Sequence, residues 1–226
     1  MNMHIDGVFR TLVGVGSIWV LWVLVGLSVL AVAVMLERLL FFIRTSDDSA
    51  TLRARLHDGL VSGELLTIEQ RLAQSRSVEA RIVSAGLRAT CPAEAEERMA
   101  AEAQAQRLRL ERSLAFLGTL GTNAPFVGLL GTVIGIIGAF RQLDVAGGQL
   151  TTGLMTVIGE ALIATAVGLM VALPAIAAYN GFQRTIQIRL NRADLLGRDV
   201  IAHLHALAHQ TARAPLRELA RAEAAE

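Results

Sequence analysis

The sequence predicts an all-α integral membrane protein: three transmembrane helices, long cytoplasmic helical extensions, and an N-terminus on the opposite side. Three observations predict it. Hydrophobic residues make up 53% of the 226 positions and charged residues only 18%, and the mean hydropathy is +0.49, more apolar than a soluble domain of this size. Three stretches, at 15–36, 117–140 and 153–179, reach the roughly 20 mostly apolar residues that a bilayer crossing needs. Arginine, the sole basic residue type besides histidine, is partitioned: twelve lie from Arg38 to Arg112 and seven from Arg184 to Arg221, against Arg10 and Arg141 elsewhere. Basic residues collect on the cytoplasmic side, so the middle region and the tail are expected there.

Residues 1–14 form a short outer segment. The first span, 15–36, is too long for the apolar core of a signal peptide, and no small-residue cleavage site precedes Glu37-Arg38, so it is expected to be retained. Trp19 and Trp22 near its outer end suit an interfacial aromatic belt. Residues 37–116 read as a cytoplasmic helical domain. Ser46-Asp47-Asp48-Ser49 offers N-caps, and Leu52, Leu56, Leu60, Leu65, Leu66 and Leu72 recur at roughly helical spacing. Thr90-Cys91-Pro92 is a break, after which Pro92 suits a first helical turn and Glu94, Glu96 and Glu97 suit a helix N-terminus. No Gly or Pro follows before Arg112, which predicts one continuous helix from Ala93 to Phe140.

The second span, 117–140, carries small residues at Gly121, Ala124, Gly128, Gly131, Gly135 and Gly138, alternating three- and four-residue steps. Such a stripe lets helix backbones approach closely in lipid, within the chain or between copies. Thr132 lies beside it; its hydroxyl either faces protein or a pore, or bonds its own helix carbonyl. Residues 141–152 make an outer loop, and 180–226 a cytoplasmic tail, expected to stay helical past Gly197 to about Ala212 and to break at Pro215. Pro125 and Pro174 sit inside the second and third spans, where each removes a backbone donor and predicts a kink.

The chemistry concentrates in the third span. From Gly153 to Ala178 its one ionisable residue is Glu160. A carboxylate within a membrane span is costly and by default marks an ion or proton pathway, or a structural charge held by a partner. Counted inward at 1.5 Å per residue, Glu160 lies about 10 Å, Thr132 about 12 Å and Thr165 about 18 Å from the outer ends of their spans. Five residues separate Glu160 from Thr165, which sets them roughly 140° apart around one helix. A shared groove therefore needs a neighbouring chain.

Two stretches carry a family resemblance. Asn123-Ala-Pro-Phe-Val-Gly-Leu-Leu-Gly-Thr-Val-Ile-Gly-Ile-Ile-Gly-Ala-Phe140 and Ile158-Gly-Glu-Ala-Leu-Ile-Ala-Thr-Ala-Val-Gly-Leu-Met-Val-Ala-Leu-Pro-Ala-Ile-Ala-Ala-Tyr-Asn180 resemble the second and third spans of the MotA/TolQ/ExbB proton-channel family. The middle domain and the tail match only in length and helical character. The resemblance implies a multi-pass protein of the bacterial inner membrane with a periplasmic N-terminus, acting as a homo-oligomer, a pentamer. It implies a single-span ExbD- or TolR-like partner bearing a transmembrane aspartate, and a TonB- or TolA-like protein receiving the work. Thr132 and Thr165 would flank that aspartate, with Glu160 the polar residue towards the outer end. Protons are the coupling ion; no cofactor, metal, covalent chemistry or nucleic acid is implied. An ExbB-like unit energising TonB-dependent outer-membrane import is expected ahead of a TolQ-like unit of the Tol-Pal envelope system.

A transporter or scaffold using small-residue packing is the reading from another class; the three spans without internal repeat speak against it. His205 and His209 share a helical face near His203, but no Cys or acidic cluster completes a metal site. Cys91 is the one cysteine, so no intrachain disulfide forms.

Overall fold

The computed structural model describes residues 18–45, 49–63, 65–145 and 152–223, all helix apart from short turns. The described helices are α1 (Ile18–Arg44), α2 (Ser49–Ser62), α3 (Leu65–Gln74), α4 (Val78–Leu87), α5 (Pro92–Glu111), α6 (Leu114–Val145) and α7 (Thr152–Glu223). Three of them contain a segment long and apolar enough to cross a membrane: Ile18–Arg44, Leu114–Val145 and Gly153–Gln210. The expected spans fall inside them except for residues 15–17, which lie outside the described residues with the segment 1–14 and the caps at 46–48. Of the expected loop 141–152, residues 141–145 are helical and 146–151 lie outside the described residues.

The chain divides into two compact units, one of residues 18–39 and 113–182, the other of 40–112 and 183 onward. In the first unit α1, α6 and α7 bury narrow seams and expose broad apolar faces. On α1 the seam is Val20, Leu24, Ala31 and Arg38, with Trp22, Val29 and Leu36 exposed. The seven-residue step from Leu24 to Ala31 to Arg38 is that of a helix packed along one line, and the exposed apolar remainder suits lipid.

The second unit has a core of its own. Leu52, Leu56, Leu72, Ala80, Val83, Leu196 and Val200 form it, with Leu60 and Ile68 packed against it. Leu66 departs from the expected leucine pattern and is 79% exposed. Gly63, at φ +75°, closes α2 with its N–H bonded to the Gly59 carbonyl; that backbone favours glycine. Ser77 caps α4 by accepting from the Ala80 N–H and donating to Glu79 Oε2 at 2.8 Å. As expected, Pro92 opens α5. Glu94 accepts from the Thr90 N–H and hydroxyl, each at 2.8 Å, and pairs with Arg98.

Two expectations are corrected. No single helix runs from Ala93 to Phe140: it breaks at Arg112, whose ψ is 136°, and Ser113, whose φ is +67°. A left-handed serine costs about 1–2 kcal/mol. It is held by Arg38, buried on α1, whose Nη2 donates to Ser113 Oγ at 3.2 Å. The tail also does not break at Pro215, because α7 continues to Glu223. A proline forfeits one helical hydrogen bond, and flanking residues of high helix propensity carry the helix past it.

Candidate functional site

The small-residue stripe is what places the candidate residues. Gly121, Ala124, Gly128, Gly131 and Gly135 are buried on α6, and their neighbours belong to the same chain. A Cβ on Gly121 would meet Ile176, one on Gly131 would meet Ala164 and Val20, and one on Gly135 would meet Ala161. Among these contacts, backbone comes nearest to backbone at the crossing of Gly128 with Gly168. A Cβ on Gly128 would lie 2.7 Å from the Ala164 carbonyl oxygen and 3.0 Å from Thr165 Cα; one on Gly168 would lie 2.7 Å from the Ala124 oxygen. Backbone meets backbone there, which only glycine permits. Gly138 departs from the stripe, its nearest neighbour being a Val157 methyl at 3.8 Å. Both prolines are accommodated: α6 passes through Pro125 and α7 through Pro174 without ending.

Thr165 is locked into that crossing. Its Oγ1 is buried and makes no hydrogen bond among the described residues, although a buried hydroxyl ordinarily has a partner. Thr132 lies four residues along α6 from Gly128, and its hydroxyl donates to the Leu129 carbonyl of its own helix at 2.7 Å. Glu160 is half-buried and has no hydrogen-bond or ion-pair partner among the described residues. No hydrogen bond joins these three side chains. Thr132 and Thr165 thus lie on facing helices near one crossing, and Glu160 stands apart on α7, as its 140° offset requires.

Sequence reasoning passed over a second set of polar residues, at the end of α1. Arg38 Nε lies 2.9 Å from Glu37 Oε2 while Nη2 holds Ser113. Arg189, 7% exposed, donates to the Phe42 carbonyl at 2.8 Å and the Thr45 carbonyl at 3.3 Å, and lies over the Phe42 ring at 5.1 Å. These are carbonyls of the last turn of α1 and the residue after it, groups no helix can satisfy internally, and a cation is favoured there. Burial lowers the Arg189 pKa, and the negative charge of buried Glu79 opposes that shift. The one available signal was that Arg38 directly follows an apolar span; nothing in the spacing marks Arg189 among the tail arginines. No group of three or more His, Cys, Asp or Glu able to hold a metal occurs among the described residues. The His205 ring contacts its own helix carbonyl at Ile201.

Three helices long and apolar enough to cross a membrane, exposing apolar faces and meeting through small residues, are the features of a multi-pass membrane protein. The comparisons give the family. The model of the MotA/TolQ/ExbB proton channel family matches residues 74–194, more than half of the chain, and the protein belongs to that family. Among its relatives, a biopolymer transport protein of Helicobacter pylori named ExbB-like 2 is 42% identical over 98 residues, 43% of this chain and 65% of its own length. The Tol-Pal system protein TolQ of Pseudomonas aeruginosa is 42% identical over 101 residues, 45% of this chain and 44% of its own. The biopolymer transport protein ExbB of Xanthomonas campestris is 40% identical over 92 residues, 41% and 36% respectively. The matched stretch therefore spans between about one third and two thirds of these relatives.

Proposed function

We propose that this chain is the proton-channel subunit of an inner-membrane motor that converts proton motive force into work on a periplasm-spanning partner, in the manner of ExbB. The observation that carries the proposal is Thr165 Oγ1, buried beside the α6–α7 crossing with no hydrogen-bond partner among the described residues. A buried, unpaired hydroxyl costs about 1–3 kcal/mol, so a polar group from a second protein beside this position would be favoured. A titratable carboxylate on the span of a second protein, bringing water with it, is such a group. Threonine does not titrate, so Thr132 and Thr165 would orient and solvate the carrier while the proton resides on the partner's aspartate. The Thr132 hydroxyl can leave its Leu129 carbonyl at small cost, since that carbonyl also serves the helix ladder. Glu160 would face the outer approach to the path. The motor would be a homo-oligomer, a pentamer, around an ExbD-like pair, passing work to a TonB-like protein. Protons are its coupling ion, and it takes no cofactor.

A TolQ-like unit of the Tol-Pal system is the second reading, favoured by the TolQ relative, which matches at the same identity as the ExbB-like one. Native mass spectrometry of the complex, gently extracted from its own membrane, tests both readings. Several copies of this chain with a pair of single-span, aspartate-bearing proteins are expected, and the co-purifying periplasmic protein separates ExbB-like from TolQ-like. A monomer or dimer under mild extraction overturns the motor. Within the complex, Thr165→Val, Thr132→Val and Glu160→Gln should each depress energised function while assembly persists; full function in all three removes the pathway.

A further inference from the structure

Apart from the membrane helices, the second unit carries a cleft that the channel reading does not use. It opens between α2 and α3 with a cavity of about 420 Å³, within the range of small-ligand sites. Its walls repeat one pattern. On α2 the sequence Thr51-Leu-Arg-Ala-Arg55 sets a hydroxyl and a guanidinium four residues apart, and on α3 Thr67-Ile-Glu-Gln-Arg71 does the same. Residues at i and i+4 share a helix face, and both pairs line the cleft. Neither Arg55 nor Arg71 has an ion-pair or hydrogen-bond partner among the described residues, whereas Arg88, Arg98, Arg107 and Arg198 are each paired with a carboxylate. Asp58 also lines the cleft and leaves it a net single positive charge. The floor is apolar, from Leu72 and Ile68, the latter seated over the Cβ-less Gly59.

We propose that this cleft binds a phosphate group, held by the Arg55 and Arg71 guanidiniums from opposite walls with hydroxyl support from Thr67. Guanidinium presents a planar fork of donors that matches phosphate oxygens. The chain contains no lysine, so the choice of arginine by itself carries no information; two unpaired arginines lining one cavity from two helices do. The apolar floor accommodates a carbon body attached to the phosphate. Two sources share that chemistry. One is an anionic lipid headgroup, since α2 starts five residues after α1 ends. The other is a soluble phosphorylated metabolite.

The test uses the full chain in neutral detergent, titrated with inorganic phosphate against chloride at matched ionic strength and followed by calorimetry. Saturable phosphate binding is expected, weakened at least ten-fold by Arg55→Gln and by Arg71→Gln, and unchanged by Arg53→Gln, an exposed arginine of α2 outside the cleft. Asp58→Asn should tighten binding several-fold, because it removes the one repulsive charge; a merely structural role predicts no gain. Repeating the titration in phosphatidylglycerol and phosphatidylcholine nanodiscs separates the sources. A headgroup occupant competes and weakens apparent phosphate affinity in the phosphatidylglycerol discs alone, whereas a soluble ligand gives equal affinities. No saturable binding in the wild-type chain overturns the proposal, as does an equal loss in Arg53→Gln.

Discussion

Adding one methyl group at Gly128 tests whether the α6–α7 crossing is as tight as it stands. Its Cβ would meet the Ala164 oxygen at 2.7 Å, Thr165 Cα at 3.0 Å and Gly168 Cα at 3.3 Å. All three are backbone atoms, so no side chain can rotate away. Restoring ordinary contact means parting the helices by roughly 0.5–0.7 Å, enough to forfeit about a quarter to a half of each dispersion contact along the seam. Overpacking of this kind costs about 1–3 kcal/mol, and in lipid packing is the main force holding helices together. Gly→Ala also gains about 1 kcal/mol of helix propensity, which would mask part of the cost. Gly138→Ala supplies the control, because its added methyl would find only the Val157 methyl at 3.8 Å while gaining the same propensity. Gly128→Ala should therefore be less stable than Gly138→Ala by about 1–3 kcal/mol. Unfolding in mixed micelles, followed by circular dichroism, reads the difference. Proton conductance should fall in Gly128→Ala alone, because the methyl displaces Thr165. Equal unfolding midpoints would refute the reasoning, since the crossing would then have room to spare.

Three further outcomes follow from particular residues. Arg189→Ala removes two charge-assisted bonds to the end of α1 and a countercharge near buried Glu79; it should cost about 2–4 kcal/mol in chemical denaturation, with Arg189→Lys recovering a part. Glu94 has its pKa lowered from 4.5 to about 2 by hydrogen bonds from the Thr90 N–H and hydroxyl and then from Arg98. A carboxylate with a depressed folded pKa contributes stability above pH 4.5 that is lost as pH falls towards 2, so Glu94→Gln should flatten the acid limb of the wild-type stability curve in that window. Cys91 is exposed, and the arginine distribution predicts a cytoplasmic middle domain, so a membrane-impermeant thiol reagent should reach it in inverted vesicles and not in intact spheroplasts; the reverse pattern would invert the topology.

The helices of the membrane unit were legible because their cause is local. Apolar length announces α1, α6 and α7, and the three- and four-residue steps of Gly121, Ala124, Gly128, Gly131 and Gly135 announce the buried face of α6. The sequence could not show which surface that stripe meets, since close packing within a chain and between copies asks for the same residues. The break at Ser113 was illegible for a different reason. No local signal marks it, and the left-handed backbone coincides with a bond from Arg38, 75 residues away. The same holds for Arg189, which reaches carbonyls about 145 residues earlier in the chain. Pro215 misled in the opposite direction, as a local breaker overridden by its neighbours. Of the candidate site, residue types and helix positions were readable, while the seating of Thr165 against Gly128 depends on how two helices cross.

How polar groups are satisfied distinguishes the residues that hold the fold from those proposed to line the channel. Arg38, Arg189, Ser77 and Glu94 each find partners inside the chain, and in doing so fix a helix end or a break. Among the described residues Thr165 and Glu160 find none, and Thr132 makes only a bond to its own helix. Trp19 Nε1 is likewise buried without an acceptor among the described residues, whereas Arg38 Nε sits at ion-pair distance from Glu37. Folding alone gives no reason to keep a hydroxyl at position 165, because valine has nearly its shape and no unmet hydrogen bond. The hydroxyl makes physical sense when something polar docks or passes beside the α6–α7 crossing. A proton carrier from a second chain meets that need, and Thr165→Val separates the two roles: a variant that is at least as stable and no longer conducts would show stability yielding to function at that position.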